Sequence, residues 1–235
     1  MRILPALFNT DMTRAILDVR KTATRRVAFP NKDFHEFPRP DNPDAWWFRG
    51  RMYRSFDDAL CSPQGVMSLC KYRPGDVLYV RETWCWCPCW DCGHDSESGC
   101  TETPSSRFYN EEKREYGCYG FKASFADNEQ PFDRWRPSIH MPREAARIWL
   151  RVTDVRVERL QEITVTDLQE EGLIPSGFLS QYTVMTAGGE WFGEWEKLWD
   201  STIKPADRDK YGWAANPWVW VIRFERCGKP DEFGH

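Results

Sequence analysis

No stretch of this chain is apolar for long enough to cross a membrane, so an integral membrane role is excluded for helical spans. Charge of one sign is not in excess either. The net charge of -4 argues against a general, charge-driven grip on nucleic acid by the whole chain. No internal repeat is present. Met1 to Leu7 lacks the apolar core of a secretory leader, and a cytoplasmic location is expected. Without a leader, nine Cys read as free thiols or metal ligands rather than disulfides.

What is present is length, aromatics and one local basic cluster. The 235 residues suffice for one domain with insertions or for two small ones. Thirteen Trp and fourteen Phe can fill a core with few residues or stack on nucleobases. Within the first thirty residues Arg2, Arg14, Arg20, Lys21, Arg25 and Arg26 outnumber Asp11 and Asp18. Such a patch on an acidic chain suits a small anion or a single nucleotide better than a duplex track.

The pattern of elements is mixed. Asn9 or Thr10 can cap a helix whose apolar stripe is Met12, Ala15, Ile16 and Val19, ending near Arg20. Residues 28–57 show no period and read as an extended loop. The turn Arg73-Pro74-Gly75-Asp76 leads into a strand from Val77 to Thr83. From Cys85 to about Gly120 the composition shifts to Cys, Ser, Glu and Gly, as in an inserted module. Ile148 to Leu160 is a strand with a register break near Asp154. Thr164 and Asp167 form a capping-box start for a helix ending at Gly172. Residues 174–190 read as a loop, and Trp191, Trp195, Leu198 and Trp199 as a helix face. A final strand from Trp218 to Phe224 puts Trp218, Trp220, Ile222 and Phe224 on one side, and the tail 229–235 is expected to be disordered. Separated strands with few helical crossovers predict an α+β chain built on a small mixed or antiparallel barrel.

The run Arg20-Lys21-Thr22-Ala23-Thr24-Arg25-Arg26 carries the first candidate chemistry. Like charge from Arg14, Arg20, Arg25 and Arg26 would lower the proton affinity of Lys21, making it a base beside the hydroxyl of Thr24. The plainer reading is a basic helix end that favours the helix dipole or grips phosphate.

Together with Pro74-Gly75-Asp76-Val77-Leu78-Tyr79-Val80-Arg81-Glu82-Thr83-Trp84, Val155 to Leu160 with Glu170-Glu171-Gly172, and Asn216 to Phe224, this run resembles the ASCH domain of the PUA-like β-barrel superfamily. Arg134-Trp135-Arg136-Pro137-Ser138-Ile139-His140-Met141-Pro142 is similar to a stretch of its longer, phage-associated members. The resemblance covers most of residues 1–228 outside 85–120 and 174–190, as a single domain. It departs at Val19, where the family usually has Gly. What it implies is a small barrel with flanking helices and a concave face for one nucleoside or base. Some members are amidohydrolases that remove the acetyl group of N4-acetylcytidine with a Lys, a Thr and a Glu, which fall here on Lys21, Thr24 and Glu171. The alternative is a non-catalytic reader of RNA or modified DNA, and a third possibility is a purely structural phage protein.

For the amide reaction, Lys21 would be the base, Thr24 the nucleophile or the holder of a water, and Glu171 the partner of the lysine or of the leaving nitrogen. Arg20, Arg26 or Arg81 would stabilise the oxyanion. On residue type alone, Glu171 beside Glu170 is an ordinary solvated pair. Trp135, Arg136, Ser138 and His140 form a second group lining a pocket, with Trp135 stacking on a base, although His140 can equally be structural.

The insertion carries Cys85, Cys87, Cys89, Cys92, His94, Cys100 and Cys118. Cys89-x-x-Cys92-Gly93 has the shape of a zinc knuckle. Cys87, Cys89, Cys92 and Cys100 are the expected ligands of a structural zinc, with Cys85, His94 and Cys118 as substitutes and reduced, unligated thiols as the plain alternative. Pro88-Cys89-x-x-Cys92 also matches half of the zinc-deaminase signature. The other half is broken, because Phe37 stands where the Glu after His35 is required.

Overall fold

A computed structural model describes residues 1–29, 33–89, 108–129, 134–173 and 181–230. Its strands are β1 (Ile3–Leu7), β2 (Ala23–Phe29), β3 (Phe34–Glu36), β4 (Trp46–Phe48), β5 (Arg51–Tyr53), β6 (Val77–Arg81), β7 (Trp84–Pro88), β8 (Phe108–Asn110), β9 (Glu115–Phe121), β10 (Trp149–Arg159) and β11 (Trp218–Cys227). The α-helices are α1 (Thr10–Leu17), α2 (Phe56–Cys61), α3 (Val165–Glu170), α4 (Gln181–Thr202) and α5 (Arg208–Tyr211). The chain is α+β. The largest sheet has the order β1-β6-β10-β11-β2, and two three-stranded sheets are β3-β4-β5 and β7-β9-β8. Among the described residues no sheet closes on itself, so the expected barrel is not what the strands form.

The chain divides into two compact units, one of residues 1, 19–76 and 151–225 and the other of residues 2–18, 77–150 and 226–235. In the first unit β11 pairs antiparallel with β2, from Trp218 opposite Phe29 to Arg223 opposite Ala23, with a bulge at Trp218/Val219. β11 was expected to bury one face. Instead Trp218 through Ile222 are all buried. Val219 and Val221 join Leu160, Leu168, Trp195 and Trp199 in a core cluster under α4. Each such side chain taken from water stabilises by about 1.5–3 kcal/mol. The face Trp191, Trp195, Leu198 and Trp199 thus packs as its spacing predicts.

Two expectations for this unit need correction. Residues 28–57 are not a loop, because β3, β4 and β5 form an antiparallel sheet there. Strands of three residues are too short for a period to show, and tertiary aromatic packing holds them. The Phe34 ring lies 4.7 Å from that of Trp218 and 4.6 Å from that of Trp46. Likewise α4 begins at Gln181, inside the segment read as loop to residue 190. Gly188-Gly189 lowers helix propensity, but the anchored aromatic half of the same helix outweighs it. Residues 174–180 and the end of the tail, 231–235, lie outside the described residues.

β10 shows why its pattern looked broken. Leu150 and Val152 are buried, Thr153 and Asp154 are both exposed, and burial resumes at Val155 and Val157. The inward parity therefore changes at Asp154.

In the second unit β1 runs parallel to β6, and β7 pairs antiparallel with β9. The ends of the Cys-rich stretch are thus core strands, with Cys85, Trp86 and Cys87 buried, rather than edges of a separate module. Residues 90–107 lie outside the described residues.

The side chain of Asn9 accepts the Met12 amide and caps α1, which ends at Leu17 with Asp18 as its C-cap. Val19 follows in the left-handed region at φ 59° and is 65% exposed. A β-branched residue there carries about 1–2 kcal/mol of strain, and a glycine gives back about 0.5–1 in backbone entropy. Val19→Gly is therefore expected to stabilise by about 1 kcal/mol. A urea midpoint that stays put or falls would refute this.

Candidate functional site

Lys21 and Glu171 are 150 residues apart in sequence and meet in the first unit. Backbone links bring them there: an isolated bridge joins the two residues, and the Thr22 amide donates to the Glu170 carbonyl at 2.7 Å. Arg20 Nη1 donates to the Gly172 carbonyl at 2.8 Å, closing the end of α3 where Gly172 turns at φ 82°. Lys21 Nζ then donates to Glu171 Oε2 at 2.5 Å and to the Glu171 carbonyl at 3.1 Å. Both side chains are buried, at 0% and 2% exposure.

Glu171 is shared. Its Oε1 accepts from Arg25 Nη1 at 3.3 Å. Arg25, with no exposed side-chain surface, also donates to Glu158 Oε1 at 2.6 Å and pairs with Asp167 Oδ1 at 3.2 Å. Arg156 bridges Glu158 and Asp167, and Arg223 bridges Asp167 and Glu170. The result is an alternating network in which each buried carboxylate faces cations, the condition that makes buried charge tolerable.

Burial, the largest influence, lowers the proton affinity of Lys21 from the usual 10.5. The Glu171 carboxylate acts in the opposite sense, and Arg26 and Arg25 add smaller downward pushes. The expected cause was crowding by cations, and this is corrected: desolvation dominates. Arg14 serves elsewhere, donating to the carbonyls of Ala123 and Phe125 and pairing with Asp127. Nor is Lys21 a helix end, since α1 stops at Leu17 and β2 begins at Ala23. Thr24 is buried on β2 next to Arg25. Neighbours in a strand face opposite ways, so Thr24 leaves β2 on the side away from Arg25. Arg26 is half-buried beyond it.

Glu158, Arg25 and Asp167 were not read as a unit from sequence. The available signal was paired charge: Arg156 and Glu158 share the face of β10 opposite Val155 and Val157, and Asp167 caps α3. The Asp167 carboxyl is 8% exposed. Burial works against its charge, but hydrogen bonds from the Thr164 hydroxyl and amide and the Arg25 charge outweigh it and hold the pKa at about 2. A depressed folded pKa gives stability that is full above the unfolded value near 4 and is lost as pH falls towards 2. After discounting for solvent screening, this is worth about 1–2 kcal/mol. Asp167→Asn should flatten acid unfolding between pH 4 and 2, read by circular dichroism. An unchanged acid limb refutes the assignment.

The second unit holds the other candidates. Arg81 Nε donates to the Met141 carbonyl at 2.9 Å and its Nη2 to the Ile139 carbonyl at 2.5 Å, so it fixes the turn carrying Ser138 and His140. Trp135, Arg136 and His140 line a cavity of about 780 Å³ together with Trp84, Tyr119 and Glu144, whereas Ser138 is not in its wall. Glu82, 1% exposed, holds Arg147 through two hydrogen bonds of 2.9 Å, a pair the sequence reading missed.

Cys85 and Cys87 share one face of β7, their sulfurs 3.8 Å apart, and Cys118 lies opposite Cys87 on β9. Hydrogen bonds with Cys118 and Cys85, and then burial, push the Cys87 thiol up. Cys89 follows β7, its amide bonded to the Tyr116 carbonyl. Cys92, His94 and Cys100 lie outside the described residues. Among the described residues no group of three or more His, Cys, Asp or Glu side chains is arranged to hold a metal ion. No helix there is long and apolar enough to cross a membrane.

Compared with protein-family models, with curated proteins and with solved structures, the chain matches none.

Proposed function

We propose that this protein is an amidohydrolase of a modified nucleoside or base such as N4-acylcytidine, built on an ASCH-like variant of the PUA-like fold. The observation that supports this most is the buried contact of Lys21 with Glu171, because the resemblance pairs these two residues as catalytic. A lysine whose charge is disfavoured by burial gives up its proton more readily than a free one, as a general base must. The Glu171 carboxylate and carbonyl accept from its amine and hold it in place.

In the proposed reaction a water oxygen attacks the acyl carbon while Lys21 accepts a proton from that water. The tetrahedral oxyanion collapses, the C–N bond breaks, and the lysine returns the proton to the leaving N4. The products are a carboxylic acid and cytidine. Glu171 orients the lysine and stabilises its charged form. The resemblance assigns Thr24 the positioning of the water, but its side chain leaves β2 on the face away from Arg25, so the reading rests on Lys21 and Glu171. Incubation with N4-acetyl, N4-propionyl and N4-benzoyl cytidine and deoxycytidine should release the free nucleoside. No release from any of them overturns the proposal and favours a non-catalytic reader of RNA or modified DNA.

We also propose one structural zinc in the Cys-rich stretch. A tetrahedral zinc with bonds of about 2.3 Å sets its sulfurs about 3.8 Å apart. The Cys85–Cys87 separation fits that spacing. The four donors would be Cys87, Cys89, Cys92 and Cys100, with Cys85 able to replace one of them. Zinc here would hold the β7–β9 ribbon together and take no part in the reaction. Elemental analysis is expected to give about one zinc per chain, lost on Cys87→Ser. Protein that contains none, and whose melting does not respond to added zinc, would refute this.

A further inference from the structure

The run Trp84-Cys85-Trp86-Cys87 alternates, and β7 sorts it by face. Trp84 and Trp86 join Met141 and Trp149 in a core cluster of the second unit, so Cys85 and Cys87 leave the strand on the other side. There the sulfurs converge. Cys85 Sγ and Cys87 Sγ are 3.8 Å apart, and the Cys87 thiol hydrogen-bonds with that of Cys118 on β9. Gly120, opposite Cys85, leaves the room for them. A Cβ there would lie 2.8 Å from Cys85 Sγ and 3.0 Å from Cys87 Sγ. Three reduced thiols thus share one patch of a two-stranded ribbon. A single buried cysteine is a small apolar side chain, but thiols in contact across two strands can react with each other.

Backbone register selects the reacting pair. The Cys89 amide donates to the Tyr116 carbonyl at 3.0 Å, and the Lys122 amide to the Thr83 carbonyl at 2.9 Å. Hydrogen-bonded pairs therefore fall on the odd positions of β7, Cys87 opposite Cys118 among them. Such pairs have Cα atoms about 5.5 Å apart, a usual separation in a disulfide. Cys85 and Cys87, two positions apart on one strand, have Cα atoms about 6.6 Å apart, at the outer edge of what a disulfide spans. Cys118 is also the accessible member. It is half-buried, whereas Cys85 and Cys87 are 0% and 4% exposed.

We propose that Cys87 and Cys118 form a reversible dithiol–disulfide switch, closed by a small-molecule disulfide such as oxidised glutathione. The Cys118 thiolate attacks one sulfur of the oxidant, and the other sulfur leaves as a thiolate that is protonated from solvent. Cys87, giving up its proton to solvent, then attacks Cys118 Sγ, and the second half of the oxidant leaves in the same way. Two protein thiols lose their hydrogens, and one oxidant disulfide becomes two thiols. The new bond ties β7 to β9. In a reducing compartment such bonds are transient and act as sensors rather than as staples. The switch goes beyond the amidohydrolase reading and rests neither on it nor on the zinc. Cys87 is also a proposed zinc donor, so bound zinc and the disulfide exclude each other at that sulfur.

The test equilibrates the full chain, as purified and after treatment with EDTA, in glutathione buffers from fully reduced to fully oxidised. Remaining thiols are alkylated and the protein is cut with trypsin. Non-reducing mass spectrometry is expected to find residues 115–122 joined to residues 82–107 in at least about half of the chains at the oxidised end, and the link should vanish on return to reduced buffer. Cys87→Ala and Cys118→Ala should each lower the linked fraction at least about tenfold, while Cys85→Ala and Cys89→Ala keep it. A melting temperature within a few degrees of the parent shows that each variant is folded. No link in either preparation, a link that survives Cys87→Ala, or glutathione that stays on Cys118 without a link would each overturn the assignment.

Discussion

Lys21→Met is expected to lower N4-acylcytidine turnover by roughly 10²–10⁴-fold, the usual contribution of a positioned general base. Methionine keeps much of the volume of the buried stem but has no amine. Glu171 keeps its Arg25 partner at 3.3 Å, so the fold should survive. The pH profile supplies a second readout. Burial lowers the proton affinity of Lys21, so kcat/KM of the parent should rise with pH through an ionisation below 10.5. That limb should be missing from whatever rate Lys21→Met retains. Activity within threefold of the parent, or the same limb in the variant, would show that the lysine is structural.

Glu171→Ala should have the largest effect on stability, a loss of about 3–5 kcal/mol. The cause is the charge left behind. Glu171 is the buried counter-ion of Lys21 at 2.5 Å and a ligand of Arg25. Arg25 retains Glu158 and Asp167, but Lys21 loses the buried carboxylate that pairs with it at 2.5 Å. Its cheapest response is to give up its proton, so the deficit should shrink as pH rises towards 10. Urea unfolding at pH 7 and pH 9.5 measures both quantities. Glu171→Gln, which keeps an acceptor but not the charge, should fall between parent and Glu171→Ala. A loss under about 1 kcal/mol for Glu171→Ala would mean the network is open to water. The two predictions separate the roles: Lys21 is tested by rate and Glu171 by stability.

Local sequence legibly fixes caps and faces. Asn9 caps α1, Thr164 and Asp167 close a capping box on α3, and the aromatic face of α4 packs as spaced. These are decided within a few residues, by hydrogen-bond geometry and by period. The parity change at Asp154 was legible for the same reason. The short strands β3, β4 and β5 were not, because three residues carry no period and Trp218, some 180 positions away, supplies their packing. The start of α4 was missed where two glycines argued against helix.

The site divides in the same way. Residue types and their order sufficed to nominate Lys21, Thr24 and the aromatic run at Trp135, whereas Glu171 was nominated only through the family resemblance. Tertiary structure decided their environment. It replaced cation crowding with burial as the cause of the lysine shift, turned Glu171 from a solvated acid into a buried counter-ion, and added Arg25, Glu158 and Asp167 to its surroundings. It also put Thr24 on the strand face away from Arg25. Proton affinity depends on desolvation and on charges within a few ångströms, and both are set by which distant segments meet. A sequence can supply the groups, but only the fold brings the Glu171 carboxylate to the Lys21 amine and buries both.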